Sequence, residues 1–108
     1  MIAIVCGGRD FKNYEHVAKQ LDALKPSFVI QGGARGADLL AKRWAQERGV
    51  PCAQVDANWD YYAGGAGPRR NAWMLLLKPE AVIAFAGGTG TLNMIAQAEK
   101  AGVKVILA

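Results

Sequence analysis

The chain has few of the residues that build metal centres, disulfide frameworks or membrane spans. His16 is its only histidine, and Cys6 and Cys52 are its only cysteines. Because no metal-ligand spacing exists, we expect no metal site and no cofactor. Both cysteines lie in apolar, strand-like segments. We therefore expect them to be small, buried hydrophobic residues of a protein in a reducing compartment, and not members of a disulfide framework. No apolar run approaches the length of a membrane span or of a signal-peptide core, so we expect a cytoplasmic protein without membrane contact.

Charged residues are also few, at 20% of the chain against 52% hydrophobic residues, and lysine and arginine form no run. A chain of 108 residues with this composition is expected to form one compact domain, residues 1–108. The net charge is +4. A basic balance of this size favours an anionic partner such as a nucleotide or nucleic acid, or is simply an ordinary, slightly basic surface.

Short apolar runs alternate along the chain with stretches of helical spacing. The predicted strands are Ile2–Cys6, Phe28–Ile30, Cys52–Val55, Ala81–Phe85 and Val103–Leu107. The predicted helices follow Asn13 up to Leu24, cover Ala37 to Arg48, start near Pro68, and run from about Leu92 to Ala101. This order predicts an α/β fold: a single Rossmann-like, doubly wound parallel sheet of about five strands with helices on both faces. Such a sheet has its ligand crevice at the carboxyl ends of the strands.

Three glycine clusters each follow a predicted strand and precede a predicted helix: Gly7-Gly8, Gly32-Gly33 and Gly87-Gly88-Thr89-Gly90. Because these turns share one edge of a parallel sheet, they are expected to converge on one site. The third cluster, which continues into Thr91, is the strongest phosphate candidate, since its N–H groups and the following helix end favour an anion. It matches neither the P-loop nor the GxGxxG pattern, and tight turns without a ligand are the alternative.

Arginines accompany these turns: Arg9, Arg35, Arg69 and Arg70 each follow a strand end or open a helix, where a guanidinium can fork onto phosphate oxygens. Pairing with nearby acids, or exposure to solvent, is the alternative for each. Asp38 lies in the first turn of its helix, where it either accepts a hydrogen bond from a ribose hydroxyl or favours the helix dipole.

Residues 56–67 have no clear period and are predicted to form a long functional or mobile loop. Its Trp59, together with Tyr61 or Tyr62, could stack on a base, whereas Trp44 and Trp73 are expected in the core. The complete predicted ligand-binding set is Gly7, Gly8, Arg9, Gly32, Gly33, Ala34, Arg35, Asp38, Trp59, Arg70, Asn71, Gly87, Gly88, Thr89, Gly90 and Thr91.

Four stretches carry a resemblance to a known family: GGRDF at 7–11, GGARGADLLAKRWAQERGV at 32–50, AGPRRNAWML at 66–75 and FAGGTGTLNM at 85–94. In these stretches the chain resembles the YspA-type, SLOG-like domains, a Rossmann-like group related to the DNA-processing protein DprA and to the Lonely Guy phosphoribohydrolases. The resemblance implies a doubly wound fold and a pocket for nucleotides or nucleotide-derived ligands.

One departure from the resemblance bears on catalysis. Lonely Guy enzymes carry PGGxGTxxE, whose glutamate assists cleavage of the N-glycosidic bond. Here Ala86 stands in place of the proline and Met94 in place of the glutamate. Because a thioether cannot act as a base or stabilise a cationic transition state, this departure argues against that activity. Asp10, Asp38 or Asp56 could substitute, and nothing in the sequence singles one out.

The sequence therefore predicts a binding module: a sensor, carrier or sequestering protein for a phosphate-bearing, nucleotide-derived small molecule. A nucleotide hydrolase acting on an N-glycosidic or phosphoester bond is the first alternative, and DprA-like binding of single-stranded nucleic acid is the second. A homodimer or higher homo-oligomer is also expected, because no helix follows the last predicted strand to cover its edge.

Overall fold

The computed structural model describes all 108 residues and contains one sheet of five parallel strands in the order β3-β2-β1-β4-β5. The strands are β1 Ile2–Cys6, β2 Phe28–Gln31, β3 Cys52–Gln54, β4 Ala81–Ala84 and β5 Lys104–Leu107. The helices are α1 Tyr14–Leu24, α2 Ala37–Arg48, α3 Trp59–Tyr62, α4 Ala66–Leu75 and α5 Thr89–Lys100. The predicted Rossmann-like fold class is confirmed.

The two faces of the sheet carry separate apolar layers. On one face α1 and α2 pack through Val17, Leu21 and Trp44 against β1, β2 and β4. On the other face α4 and α5 pack through Met74 and Met94. Strands β1 and β4 are buried on both faces by these layers, which is why their sequences read as unbroken apolar runs.

The order of the strands reverses between β1 and β4, since β1 connects outward to β2 on one side and the chain returns to β4 on the other. The segments that leave β1 and β4 diverge to opposite faces of the sheet. A crevice opens where such segments part, at the carboxyl ends of the strands. The topology therefore places the ligand crevice between the turn after β1 and the turn after β4.

The structure corrects three local predictions. Residues 56–67 do not form a loop throughout: they contain α3, a 3₁₀ turn over Ala63–Gly65 and the first two residues of α4. Helix α5 begins at Thr89 instead of about Leu92, because the glycine turn itself is the start of the helix. Trp44 is in the core as predicted, but Trp73 is 37% exposed and packs its ring on Tyr62 at the surface.

Strand β5 pairs only with β4, so its outer edge has no neighbouring strand. Association of two copies through this edge stays a prediction. No helix of the structure is long and apolar enough to span a bilayer.

Candidate functional site

A cleft of about 1070 Å³ lies at the carboxyl edge of the sheet, where the topology predicts it. The turn after β1 and the turn after β4 form two of its sides, and α3 with the start of α4 forms a third. Of the sequence-predicted set, thirteen residues line it: Gly7, Gly8, Arg9, Ala34, Asp38, Trp59, Arg70, Asn71, Gly87, Gly88, Thr89, Gly90 and Thr91.

Gly8 holds the three glycine turns together. Its N–H donates to the carbonyl of Ala86 at 2.8 Å, which ties the β1 turn to the β4 turn. Its carbonyl accepts from the N–H of Ala37 at 3.2 Å, which ties the β1 turn to the start of α2. Gly36 precedes α2 at φ +86°, and a Cβ there would overlap the Gly8 carbonyl oxygen. A glycine is needed at position 36 for both reasons.

The start of α5 forms one side of the cleft. Gly88 is the N-cap residue of this helix. The first main-chain hydrogen bond of the helix is donated by the N–H of Leu92 to the carbonyl of Gly88, at 3.0 Å. The N–H groups of Thr89, Gly90 and Thr91 have no acceptor in the protein. Free amides at the positive end of a twelve-residue helix favour a phosphate or another anion.

Arg70 supplies a fixed positive charge beside these amides. Its Nη1 donates to the carbonyl of Gly32 at 2.7 Å and its Nε donates to Asn71 Oδ1 at 3.1 Å. A side chain at position 32 would collide with the guanidinium, whose Cζ lies 2.7 Å from an ideal Cβ there. No carboxylate forms an ion pair with Arg70. Its remaining N–H donors and its charge are therefore available to an anion in the cleft.

Asn71 connects α4 with α5. Its side chain is buried, and its Nδ2 donates to the Gly90 carbonyl at 3.2 Å and to Asn93 Oδ1 at 3.1 Å. The Oδ1 of Asn71 is the atom that receives the Nε–H of Arg70. Asn71 thus holds the guanidinium and the start of α5 in one arrangement, and both line the cleft.

Asp38 is the one carboxyl group buried in the cleft, with 6% of the residue exposed. The N–H of Ala34 donates to its Oδ2 at 3.2 Å. Burial raises the pKa of Asp38 from 3.8 to about 6, although the Ala34 amide and the charges of Arg70 and Arg9 oppose the change. A carboxyl group with such a pKa in a cleft marks a candidate functional residue.

Arg9 and Trp59 face each other across the mouth of the cleft. The Arg9 guanidinium lies 5.6 Å from the centre of the Trp59 ring, within the range of a cation–π interaction. Both side chains are exposed, Trp59 by 47%. A planar group that enters the cleft therefore meets an aromatic face and a cation at its opening.

Three predicted residues do not line the cleft. Gly32 accepts a hydrogen bond from Arg70 through its carbonyl. Gly33 has φ +74° and lies against the side chains of Gln54 and Asp56. Arg35 is exposed, forms an ion pair with Asp10 at 3.5 Å and borders a separate groove. Arg69 also lies outside, because its guanidinium packs over the Tyr62 ring at 4.3 Å.

Nine residues that line the cleft are outside the predicted ligand-binding set, although one of them, Asp10, is among the candidate acids named from the sequence. Most of them extend a predicted motif by one or two positions, so widening each motif would have found them. They are Cys6, Asp10, Phe11, Gly64, Gly67, Pro68, Met74, Ala86 and Asn93. Cys6 forms part of the floor, where burial raises the pKa of its thiol to about 12 and keeps it neutral.

The three candidate carboxylates are separated by the structure. Asp38 is buried in the cleft, Asp10 is at its rim with 93% of the side chain exposed, and Asp56 is outside it, where it accepts from Gln54 at 2.9 Å. Met94 is fully buried in the apolar layer beneath the sheet. The position at which Lonely Guy enzymes carry their glutamate is therefore core in this chain.

Comparison with known proteins gives the family of this chain. The family model described as YspA, cpYpsA-related SLOG family matches residues 1–62, more than half of the chain. The chain belongs to this SLOG family. The matched part contains the β1 turn, the β2 turn and Asp38, whereas Arg70 and the start of α5 lie beyond it. The SLOG chain is also similar to a protein of Mycobacterium phage D29 described as Gene 61 protein, with 38% identity over 85 residues that cover 72% of this chain and 68% of the relative.

Proposed function

We propose that this SLOG chain binds a phosphate-bearing nucleotide or nucleotide-derived small molecule in the cleft, as a sensor, carrier or sequestering protein. The observation that carries the proposal is the pairing of two anion-binding features on one side of the cleft. The amides of Thr89, Gly90 and Thr91 have no acceptor, and Arg70 has no acid partner. Family membership supports a nucleotide-derived ligand as the class.

The remainder of the cleft suits the rest of a nucleotide. Trp59 and Arg9 at the mouth offer a stacking surface for a base. Asp38 lies on the opposite side of the β1 turn from α5, and offers an acceptor to the sugar. An inorganic anion would use only the α5 side. A nucleotide uses all three parts, so we expect it to bind more tightly than phosphate alone.

Calorimetry tests this proposal with inorganic phosphate, nucleoside monophosphates, cyclic nucleotides and ADP-ribose as titrants. We expect at least one nucleotide to bind more tightly than about 1 mM, and more tightly than phosphate. The salt dependence separates a small ligand from a nucleic-acid strand, since a strand releases many counterions and gives a steep slope. If no member of the panel binds, the proposal is wrong.

Replacing Arg70 with glutamine is expected to weaken nucleotide binding about 10- to 100-fold, because a charge-assisted hydrogen bond to phosphate contributes about 1.5–3 kcal/mol. The matched control is Arg69→Gln, which removes the same charge one residue away at a side chain that faces Tyr62 and not the cleft. We expect the control to bind within about twofold of the unaltered protein, since an exposed charge contributes little. Equal losses in the two variants would show a general effect of charge and contradict the role of Arg70.

One observation favours a second candidate, a nucleotide hydrolase: a carboxyl group with a pKa of about 6 is buried in the cleft. Near neutral pH such a group can take a proton from water and return it to a leaving group. Under this candidate the purified protein would release free base from a bound nucleotide, and Asp38→Asn would reduce the rate about 100-fold or more. Saturated binding without any released base or phosphate would rule it out.

A further inference from the structure

We infer that Asp38 selects ligands that offer a sugar hydroxyl, so that the cleft prefers ribonucleotides to their deoxy counterparts. The inference rests on the proposed binding of a phosphate-bearing nucleotide and adds to it a residue that decides between ligands.

No side chain donates a hydrogen bond to Asp38. The nearby guanidinium of Arg70 donates instead to the Gly32 carbonyl and to Asn71. Only the backbone supports the carboxylate, through the N–H of Ala34 at 3.2 Å and the close backbone amide of Gly32. An ionised carboxylate has about four acceptor positions. Acceptor capacity therefore remains on a group that lines the cleft and is only 6% exposed.

A ligand hydroxyl would fill that capacity. A buried polar group without a partner is unfavourable. A ligand that covers Asp38 displaces solvent water from the carboxylate, and must itself supply the hydrogen bond that solvent water would make. A deoxy ligand expels the water and offers no donor in return. The site therefore discriminates through the unpaired carboxylate that a deoxy ligand leaves behind.

Charge determines which part of the ligand meets Asp38. The carboxylate repels a phosphate, whereas the free amides of α5 and the Arg70 guanidinium attract it. The two ends of the cleft belong to β2 and β4, which flank β1, so they lie about 10 Å apart at the usual spacing of two strands. The start of α2 packs directly on the β1 turn, since a Cβ on Gly7 would lie 2.6 Å from the Cβ of Ala37. A sugar that continues from a phosphate at α5 across the β1 turn thus reaches Asp38.

The experiment measures the affinity ratio between a ribonucleoside monophosphate and its 2′-deoxy and 3′-deoxy forms by calorimetry. In the unaltered protein we expect the ribonucleotide to bind about 10- to 100-fold more tightly than at least one deoxy form. In Asp38→Ala the ratio should fall to about 2 or less. Asp56→Asn is the matched control outside the cleft, and should keep the full ratio.

The pH dependence of that ratio provides a test that needs no variant. The groups that face Asp38 are Cys6 from β1, Arg9 from the β1 turn and Arg70 from α4. The Cys6 thiol stays neutral because burial raises its pKa to about 12. The ligand phosphate does titrate near pH 6, but equally in the ribo and deoxy forms. We therefore expect the affinity ratio to fall as the pH is lowered from about 7.5 to 5, as Asp38 becomes protonated.

The outcomes separate this inference from the proposed function. Equal affinities for ribo and deoxy forms in the unaltered protein, or an unchanged ratio in folded Asp38→Ala, would overturn the role of Asp38 and leave nucleotide binding in place. Failure of every nucleotide to bind would overturn both. If Asp38→Ala does not fold, as circular dichroism would show, the affinity ratio and its pH dependence in the unaltered protein still decide.

Discussion

Replacing Gly36 with alanine is expected to destabilise the protein by about 3 to 5 kcal/mol. Gly36 has φ +86° and ψ −133°, a conformation that is open essentially only to glycine. The added Cβ would also overlap the Gly8 carbonyl oxygen, and this backbone atom cannot move because it accepts from Ala37. Chemical denaturation and the melting temperature measure the loss, which corresponds to a decrease of roughly 12 °C or more.

Gly49→Ala is the matched control for this substitution. Gly49 also has a positive φ, +68°, at the end of α2, but a Cβ there would meet nothing within 4 Å. The control therefore carries only the cost of the left-handed backbone, about 1 kcal/mol. Similar losses at the two positions would show that contact with the Gly8 carbonyl does not constrain position 36.

Asp38→Asn is expected to do the opposite and raise the free energy of unfolding at pH 7, by up to about 3 kcal/mol. Burial raises the pKa of this carboxyl from 3.8 to about 6. At neutral pH the carboxylate is therefore less favourable in the folded protein than in the unfolded chain, and this difference lowers the free energy of unfolding. Asparagine keeps an oxygen for the Ala34 amide and removes the charge. Denaturant titrations of the two proteins from pH 4 to pH 8 measure the difference.

The sign of the pH dependence follows from the direction of the shift. Because the folded-state pKa is the higher one, the folded state binds more protons between pH 4 and pH 6, and stability falls as the pH rises through this interval. The free energy of unfolding of the unaltered protein should equal that of Asp38→Asn near pH 4 and should be lower than that of Asp38→Asn above pH 6. A gain that is the same at every pH, or a loss at pH 7, would show that burial does not strain the carboxylate.

The two expectations for Asp38 belong together. If Asp38→Asn stabilises the fold and Asp38→Ala removes the discrimination between ribo and deoxy ligands, the two variants together identify a residue that is kept for binding at a cost in stability. A residue with only a structural role would lose stability when its charge is removed. Measuring stability in Asp38→Asn and ligand discrimination in Asp38→Ala therefore separates a role in binding from a purely structural role.

Much of the fold was predictable, because hydrophobic period and turn residues are local signals. Strand β1 and helix α2 have the predicted bounds, and Asn13 caps α1 by accepting from the N–H of His16 at 3.0 Å. The start of α5 was harder to predict from the sequence. Gly90 is a poor helix former, so local propensity excludes it, whereas the packing of Met94 and Ala98 on the sheet extends the helix back through it.

The amino-acid sequence alone determined the alternation of strands and helices, the parallel sheet, and the meeting of glycine turns at one edge. These follow from periodicity and from the chirality of parallel connections, which apply whatever the distant residues are. Only the tertiary structure decided which side chains line the cleft. It placed Arg70 on the Gly32 carbonyl, turned Arg35 away and buried Met94 in the core. Of the three candidate acids, it buried only Asp38 in the cleft. Such choices depend on contacts between residues far apart in the chain, and no local pattern records them.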